Sequence, residues 1–565
     1  MIQIYNPLSN IWLSAFVASL PIFVFLTSLL VLKLKGIFAA FLTVLVSSII
    51  ALTVYKMPFI MVLMSFVQGF LTALWPIGWI IIAAIFLYKL SIKSGYFEIL
   101  KKSIVAITPD YRIQVVLITY CFGSFLEGAI GFGGPVAITT ALIVGIGIKP
   151  ISAAGLALIA NIASGGFGAV GITITSLAAS SGIDSGILAA MTSRMIPPTT
   201  ILIPFLLVFI MDGFNGIKDT FLVTSVIGIT YFLGQFFASN FLGAELPSII
   251  SAFVSIICTT LFLKIYKIKN IKTIDKEETK EEIKLNFKDV FKAWMPFLLL
   301  ILFIIIWLSP YFKNFFNFTT IKFSLPFIHN NIIQVTPIVL KDTPIPTIYS
   351  WDIITTTGTA IFTAAIISVF MLKIKTKIAI KTFTETLKET FIPVITIAFI
   401  VAYAMIAKNS AQAATIGLSL AQTGNAFTFF SPVIGWLGVF LTGSVTSSNL
   451  LFGTLQQVTA TQLGITDVVF LGANTVGGAI GKSISPQSVA VACAAVGIVG
   501  KESEVFKYTL KISIALIILV SLISWFTVNV FSFIIPPLVG NWYKRIKNGK
   551  KSLFIFNLFR FCSYG

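Results

Sequence analysis

The sequence that decides the fold is a glycine-rich apolar stretch, residues 125–168, which reads FLEGAIGFGGPVAITTALIVGIGIKPISAAGLALIANIASGGFG. A second stretch, residues 440–481, reads FLTGSVTSSNLLFGTLQQVTATQLGITDVVFLGANTVGGAIG. Each opens with Phe-Leu-x-Gly, contains a Gly-Ile turn, and then reaches an Ala-Asn pair that is followed shortly by two glycines. Because these landmarks occur in the same order, we predict that the chain consists of two related halves.

Glycines within apolar segments indicate broken helices. Irregular backbone survives inside a membrane only where it lines a cavity or is buried in protein, and paired, glycine-interrupted segments are typical of a transporter's binding site. A helix that breaks there presents free N–H groups and the positive end of its dipole, which suit a carboxylate. The alternative is that small residues only permit close helix packing. We predict hairpin breaks at Gly128, Gly131, Gly133 and Gly134 in the first region and at Gly443, Gly477 and Gly478 in the second.

The composition is that of a membrane protein. Of the 565 residues, 57% are hydrophobic and 10% are charged, whereas a soluble domain carries about 25% charged residues. A single histidine, His329, and four scattered cysteines give no pattern for a metal centre or a disulfide framework, so we expect neither a metal nor a cofactor. The sequence therefore predicts an all-α polytopic membrane protein.

Apolar segments of about 20 residues, the length that spans a bilayer, recur along the chain. Counting broken and re-entrant segments, we expect roughly 12 to 14 crossings in two halves of inverted orientation. The predicted divisions are an N-terminal half at 1–266 with its glycine-rich region at 113–179, a charged cytoplasmic linker at 267–292, a C-terminal half at 293–533 with its glycine-rich region at 427–499, and a basic tail at 534–565 that we also place in the cytoplasm.

The charge distribution predicts the orientation. Lys and Arg exceed Asp and Glu by 39 to 20, a formal net charge of +19. The basic residues stand in short runs between apolar segments, which is typical of cytoplasmic loops facing anionic lipid and not of nucleic-acid binding. We therefore expect the N-terminus outside. Besides the linker, the lysines of the cytoplasmic loops are Lys33, Lys35, Lys89, Lys93, Lys101, Lys102, Lys373, Lys375, Lys377 and Lys381.

Polar side chains within the glycine-rich regions are the candidates for substrate binding. Their hydroxyl and amide groups can hydrogen-bond a small anion held at a helix break. Lys482, beside the second region, is expected either to pair with a substrate carboxylate or to extend to the membrane surface. The other substrate-binding candidates are Asn161, Thr446, Ser447, Ser448, Asn449 and Asn474.

Glu127 is the candidate for proton coupling. It lies in an apolar stretch next to Gly128, and a charge at the centre of a bilayer costs roughly 2.5–3.5 kcal/mol. Because burial disfavours the charged form of a carboxyl group, Glu127 is expected to take up and release a proton. The alternative is a structural role, in which its hydrogen bonds hold the first hairpin.

At these segments the sequence resembles the bacterial lactate permease family. The resemblance is carried by FLEGAIGFGGPVAIT (125–139), KPISAAGLALIAN (149–161), TSSNLLFG (446–453) and GKSISPQSVAVACAAVGIVGKES (481–503), and it covers nearly the whole chain to about Val530. It implies uptake of L-lactate, with D-lactate and glycolate, by symport with protons across the bacterial cytoplasmic (inner) membrane. It also implies kinship with transporters built from inverted repeats and re-entrant hairpins.

Three departures from the family pattern stand out. Family members usually read GSDTSSN where this chain reads GSVTSSN, so Val445 replaces an expected intramembrane carboxylate. After Asn161 the chain reads IASGG in place of a Thr-Ala-Pro-Val-Ala-like run, and the segment 536–565 extends past the usual end. If the missing Asp carried the coupled proton, this chain would be impaired or differently coupled.

Other classes of protein fit less well. The sequence has no GxSxG, HExxH or histidine cluster, and GGAIGKS (477–483) has Val476 where a P-loop requires glycine, so we expect no enzyme. A channel or scaffold would show uncoupled flux or none. A carrier coupled to sodium, or one for another small monocarboxylate such as glycolate, is the alternative. The expected partners are the lipid bilayer, protons and a small-molecule substrate, without nucleic acid; a homo-oligomer stays open.

Overall fold

The computed structural model describes residues 1–32, 34–131, 133–268, 270–274, 286–339 and 341–536. These residues form 24 α-helices and four short β-strands. Ten helical segments in this part of the chain are long and apolar enough to cross a membrane, which confirms the predicted all-α, multi-pass architecture. Much of the predicted linker 267–292, and nearly all of the predicted tail 534–565, lies outside the described residues.

The helices of the N-terminal half are apolar, and polar residues cap several of them. Asn10 Oδ1 accepts hydrogen bonds from the N–H groups of Trp12 and Leu13, and Asp110 Oδ1 accepts one from that of Arg112, which satisfies donors that the first helical turn leaves free. The helices are α1 (Ile11–Leu30), α2 (Gly36–Thr53), α3 (Phe59–Thr72), α4 (Trp79–Lys93), α5 (Tyr96–Val105), α6 (Tyr111–Val116), α7 (Gly123–Ala129), α8 (Gly134–Ile146), α9 (Pro150–Ala160), α10 (Ile162–Gly165), α11 (Ile172–Ser181), α12 (Ser185–Met195), α13 (Pro197–Phe237) and α14 (Pro247–Ile265), with π-helical segments at Ala73–Gly78, Leu117–Phe122 and Ala238–Leu242.

The C-terminal half uses serine caps at its helix breaks. Ser444 Oγ accepts from the N–H of Ser447, and Ser485 Oγ accepts from that of Ser488, so α21 and α23 each begin at a break. The elements are α15 (Phe287–Leu308), α16 (Pro310–Phe315), β1 (Thr320–Ser324), β2 (Ile333–Gln334), β3 (Thr343–Pro344), β4 (Ile348–Asp352), α17 (Thr357–Met371), α18 (Thr376–Asn409), α19 (Gln412–Ala421), α20 (Phe427–Thr442), α21 (Val445–Gln462), α22 (Asp467–Lys482), α23 (Pro486–Ala495) and α24 (Glu502–Asn529).

The helices run between two faces, which we name after what lies on them. The strand face carries β1 paired antiparallel with β4, in the register Thr320 opposite Asp352, and β2 paired antiparallel with β3. The N–H of Gln3 donates to Ile333 O, so the first residues of the chain join this face. The linker face carries residues 270–274, which belong to the segment between the two halves.

The segment from α6 to α8 is a hairpin whose two ends lie on the linker face. At its start Arg112 Nη2 donates to Asn270 O at 2.7 Å. At its end, a Cβ atom on Gly147 would lie 2.8 Å from Ile274 Cγ2. The chain therefore enters the helical core from the linker face and returns to it.

Arg112 anchors the base of this first hairpin. Its buried guanidinium donates to the carboxylates of Asp110, Asp212 and Asp219, and Lys272 Nζ pairs with Asp212 at 2.7 Å. The network joins the start of α6, the middle of α13 and the linker. Separating these partners would leave a buried charge uncompensated, which costs free energy. The network therefore holds the base of the hairpin in place.

Helices α20 and α21 form a second hairpin, whose ends lie on the strand face. The two helices run antiparallel, because Ser448 Oγ donates to Gly435 O near the tip and Ser431 Oγ donates to Gln456 Oε1 further away. At the far end of α21, Gln462 Nε2 donates to Pro337 O beside the strands. The two hairpins therefore enter the core from opposite faces.

Glycines lie at both hairpin tips, and four of the seven glycines named from the sequence are among them. Gly131 and Gly133 have φ of 58° and 82° between α7 and α8, and Gly443 has φ of 71° between α20 and α21. Gly134 is the first residue of α8. Backbone with positive φ strains every residue that has a Cβ atom, which explains glycine at the first three positions.

The other three glycines serve packing. The prediction that Gly477 and Gly478 interrupt a helix is wrong, because both lie inside α22. A Cβ atom on Gly477 would collide with Pro432 O of α20. Gly128 likewise lies inside α7, where a Cβ atom would come within 2.7 Å of Ile249 Cγ1 on α14. At these positions small residues let helix backbones approach closely.

Two crossings are broken. Irregular backbone and one 3₁₀ turn separate α10 from α11 over residues 166–171, and residues 483–485 separate α22 from α23. Each second piece packs against the hairpin of the other half, α11 against α21 and α23 against α8. The two hairpins enter from opposite faces, and each half packs its second piece against the hairpin of the other. Together these features establish two inverted halves. The largest cluster of buried apolar side chains encloses the first hairpin, where Phe122 and Phe125 are fully buried.

The ten membrane-spanning candidates fall short of the expected 12 to 14 crossings because some crossings are not single helices. The longest candidate, Pro197–Leu242, folds back at Gly213, where φ is 63° and ψ is −154°. A Cβ atom on Gly228 would consequently lie 3.0 Å from Ile201 O of the same helix. Other crossings are assembled from shorter helices, such as α22 followed by α23.

The last helix of the described chain ends on the face opposite to the one that the sequence predicts. Asn425 Nδ2, just before α20, donates to Asn529 Oδ1 at 2.9 Å, so α24 ends on the strand face. The linker lies on the opposite face, whereas the sequence placed both the linker and the tail in the cytoplasm. The basic residues of the tail lie outside the described residues.

Candidate substrate and proton site

An ion pair between the two halves marks the centre of the site. Lys482 Nζ, at the end of α22, donates to Glu127 Oε1 of α7 at 2.6 Å. The side chain of Glu127 is 3% exposed and that of Lys482 is 11% exposed. Lys482 therefore extends inward to a buried carboxylate and not to the membrane surface. A lysine–carboxylate pair buried this deeply in a membrane protein is a functional-site candidate by default.

Asn161 completes the group around Glu127. This residue follows α9, and its Nδ2 donates to Glu127 Oε2 at 3.0 Å. Each carboxylate oxygen of Glu127 therefore has its own donor, one from each half of the chain. Asn161 Oδ1 is buried and has no hydrogen-bond partner among the described residues.

The break after α10 lets these residues meet. A Cβ atom on Gly165 would lie 3.6 Å from the Cβ atom of Ala479 and 3.7 Å from Lys482 Cδ, so α10 packs directly on the last turns of α22. Gly166 touches the same helix further along, because its Cβ atom would lie 3.8 Å from Thr475 Cγ2. The glycine pair predicted as a shared landmark thus lies beside the lysine.

Asn449 and Asn474 belong to a second buried polar cluster, on the side of Gly166 that faces the strands. Asn449 Oδ1 accepts from Asn474 Nδ2 at 2.9 Å and from Thr475 Oγ1 at 3.2 Å, and Asn449 Nδ2 donates to Thr173 O at 3.1 Å. The cluster connects α21, α22 and the start of α11.

Gln456 extends this second cluster. Its Nε2 donates to Asn474 Oδ1 at 3.3 Å and to Ser431 O at 2.9 Å, and its Oε1 accepts from Ser431 Oγ. Sequence reasoning missed Gln456, Thr475 and Thr173. Gln456 follows Asn449 by seven residues in α21, a spacing that returns to the same face of a helix and that would have predicted it.

The predicted hydroxyl residues lie at the tip of the second hairpin. Thr446, Ser447 and Ser448 occupy the first turn of α21, and Ser448 Oγ donates to Gly435 O at 3.3 Å. Val445, the first residue of α21, is buried, and its Cγ1 lies 3.4 Å from where a Cβ atom on Gly478 would be. Because Gly478 precedes Lys482 by one helical turn, this tip lies next to the ion pair.

The arrangement brings together what a carrier of small anions requires. Two re-entrant hairpins, two broken crossings, one buried ion pair and a cluster of amides and hydroxyls meet where the halves contact one another. Ion and substrate sites of inverted-repeat transporters lie at such an interface. The fold and the site define this protein as a multi-pass membrane transporter.

Comparison with known proteins identifies the family. Residues 14–531 match the L-lactate permease family, and the chain belongs to it. The chain is 45% identical to the L-lactate permease of Salmonella typhimurium (strain LT2) and 46% identical to that of Escherichia coli (strain K12), in each case over 94% of this chain and 99% of the relative. It is 44% identical to the glycolate permease GlcA of Escherichia coli (strain K12), over 94% of this chain and 98% of the relative.

A solved transporter structure also aligns with most of this chain. The crystal structure of the Alcanivorax borkumensis YdaH transporter matches with a TM-score of 0.43 and 16% identity, over 84% of this chain and 89% of that chain. The bacterial relatives and the ten candidate membrane helices of the described residues make this chain a multi-pass protein of the bacterial cytoplasmic membrane. The resemblance to the lactate permeases is therefore confirmed.

Proposed function

We propose that this protein takes up L-lactate, together with D-lactate and glycolate, by symport with protons. The observation that carries the proposal is the buried pair of Glu127 with Lys482, which joins the two halves beside both hairpin tips. A cation that already holds a carboxylate in the empty carrier is suited to hold a substrate carboxylate in the loaded one.

Protonation of Glu127 is the coupling step. A proton that binds to Glu127 neutralises the counter-ion of Lys482, and an unpaired buried ammonium is costly. The carboxylate of the substrate then takes the place of Glu127 as the partner of Lys482. Release of the substrate on the other side restores the original pair once Glu127 has lost its proton.

The charges balance in both forms of the carrier. The empty site holds one carboxylate and one ammonium, and the loaded site holds the substrate carboxylate, the same ammonium and a neutral glutamic acid. Neither form carries net charge across the membrane. This matters because a monovalent anion that enters a negative-inside cell alone would climb about 2.3 kcal/mol per 100 mV.

The hairpins supply access from the two sides. The first enters from the linker face and the second from the strand face, and both reach the ion pair, so movement of one half against the other can open the site alternately. We place the linker face in the cytoplasm because Lys264, Lys267 and Lys272 lie on it.

A transport assay in proteoliposomes tests this function. Vesicles containing the full chain are given an inward proton gradient, with no sodium gradient, and the uptake of labelled L-lactate is followed. The proposal expects transient accumulation above equilibrium that an ionophore for protons abolishes. Accumulation driven only by a sodium gradient would replace the proton with sodium, and equilibration without accumulation would indicate a channel.

A further inference from the structure

We propose that Asn161 recognises the 2-hydroxyl group of the substrate and thereby selects 2-hydroxy monocarboxylates over monocarboxylates that lack this group. The inference rests on the proposed function, because it places the substrate carboxylate on Lys482. It assigns a specificity-determining contact to one side-chain atom, Asn161 Oδ1.

The three asparagines of the site differ in how their amide oxygens are used. Asn449 Oδ1 accepts two hydrogen bonds, from Asn474 and Thr475, and Asn474 Oδ1 accepts one from Gln456. Asn161 Oδ1 accepts none from the described residues, although the residue is only 4% exposed. Buried polar atoms are nearly always hydrogen-bonded, so an unused acceptor inside a binding site indicates a ligand that donates.

The position of this oxygen is fixed by its own amide group. Asn161 Nδ2 is held on Glu127 Oε2, and Lys482 Nζ is held on the other oxygen of the same carboxylate. Because the oxygen and nitrogen of an amide share one carbon atom, Asn161 Oδ1 stays beside the ion pair. An ammonium donor and an amide acceptor therefore lie on two sides of one carboxylate.

The chemistry of the substrate matches this arrangement. An ionised carboxylate only accepts hydrogen bonds, so it can bind Lys482 but cannot serve Asn161 Oδ1. In lactate and glycolate a hydroxyl group stands on the carbon next to the carboxylate and supplies the missing O–H donor. Propionate and acetate are the matching acids without that hydroxyl, and they would leave the acceptor unpaired, which is how polar sites reject such analogues.

Counterflow in proteoliposomes measures the selection independently of proton coupling. Vesicles containing the full chain are loaded with unlabelled L-lactate, and the entry of labelled L-lactate is inhibited with L-lactate, glycolate, propionate or acetate. The wild-type protein should bind the two hydroxy acids at least about tenfold more tightly than their counterparts. The variant Asn161→Leu should lose most of that ratio, while its inhibition by propionate changes little.

Two further variants separate selection from folding and from coupling. Ser164→Ala changes a side chain inside α10, one turn after Asn161; within the described part of the chain Ser164 Oγ bonds only to Asn161 O, at 3.4 Å, so this variant should keep the full ratio. Glu127→Gln serves only the test of coupling, in which it should lose the response to a proton gradient. A ratio near one in the wild-type protein, or an unchanged ratio in Asn161→Leu, would overturn the inference. If Asn161→Leu does not fold, the wild-type ratio of affinities between the hydroxy acids and their counterparts decides.

The failure of this inference differs visibly from the failure of the proposed function. Proton-driven uptake of lactate without any preference for hydroxy acids rejects only the role of Asn161. Absence of lactate counterflow from wild-type vesicles rejects both. A changed pH profile in Asn161→Leu with an unchanged hydroxyl preference would mean that Asn161 acts on Glu127 alone, and this too rejects the inference.

Discussion

Lys482 and Glu127 are separated by 355 positions in the sequence, yet Lys482 Nζ lies 2.6 Å from Glu127 Oε1. The pair joins the first hairpin of one half to the broken crossing of the other. In the proposed mechanism, protonation of Glu127 lets the substrate carboxylate replace it as the partner of Lys482, which would couple a proton to an organic anion without moving net charge.

Replacing the carboxyl group of Glu127 by an amide should uncouple the carrier. Glu127→Gln keeps the shape of the side chain but can no longer bind or release a proton. We expect proton-driven accumulation of lactate to be lost while lactate exchange continues. Uptake over a series of external pH values checks this, with Glu389→Gln, an exposed carboxylate on α18, as the control. Unchanged acid stimulation in Glu127→Gln would remove this residue from the coupling step.

Removing the ammonium group of Lys482 should abolish lactate binding and also lower the stability of the protein. Lys482→Met leaves the carboxylate of Glu127 buried without a counter-ion, which costs up to roughly 3–5 kcal/mol of stability. The double variant Glu127→Gln, Lys482→Met should recover part of this stability but no transport. Thermal unfolding in detergent and lactate uptake are measured side by side; a double variant that transports lactate would contradict the role of Lys482.

Arg112 should be essential for the base of the first hairpin. Arg112→Met leaves the fully buried Asp110 without its cation and should lower the free energy of unfolding by roughly 3–5 kcal/mol. Lys272→Met removes a cation of the same network whose side chain is 44% exposed, and should cost less than about 1 kcal/mol. Thermal unfolding of the two variants compares them directly, and equal losses would contradict this ranking.

A carboxylate at position 445 should be tolerated. Val445 is the first residue of α21, directly after the capping residue Ser444, where the positive end of the helix dipole favours a negative charge by about 0.3–1 kcal/mol. We expect Val445→Asp to fold and to transport lactate, with a shifted pH profile because the new carboxylate lies near Lys482. Val445→Asn is the neutral control and should leave the profile unshifted; identical profiles in both variants would contradict the expected shift.

Glu245 should make stability depend on pH. Glu245 lies between the π-helical segment Ala238–Leu242 and α14. Its burial raises the pKa of its carboxyl group above the ordinary value. The folded protein therefore binds this proton more tightly than the unfolded chain, so the free energy of unfolding falls as the pH rises through the interval between the two pKa values. Glu245→Gln should be more stable than wild type at neutral pH and less different at acidic pH. Unfolding midpoints at several pH values check the sign.

The sequence predicted the elements of the site better than their connections. Repeated landmarks placed the hairpins, and the cost of intramembrane charge pointed to Glu127 and Lys482 separately. Nothing in the sequence indicated that these two side chains pair, because the contact depends on how α7 and α22 pack across the halves. The glycines at 477 and 478 were misassigned for a related reason: a glycine that breaks a helix and one that admits a neighbouring helix look alike until the neighbour, here α20, is known.

Proton uptake on binding tests the exchange of partners most directly. Purified protein in weakly buffered solution near neutral pH is mixed with L-lactate, and the pH change is compared with the amount of lactate bound. Since lactate is already ionised there, the account predicts that about one proton is taken up per lactate bound by wild type and none by Glu127→Gln. Lactate binding by the wild-type protein without proton uptake would contradict it.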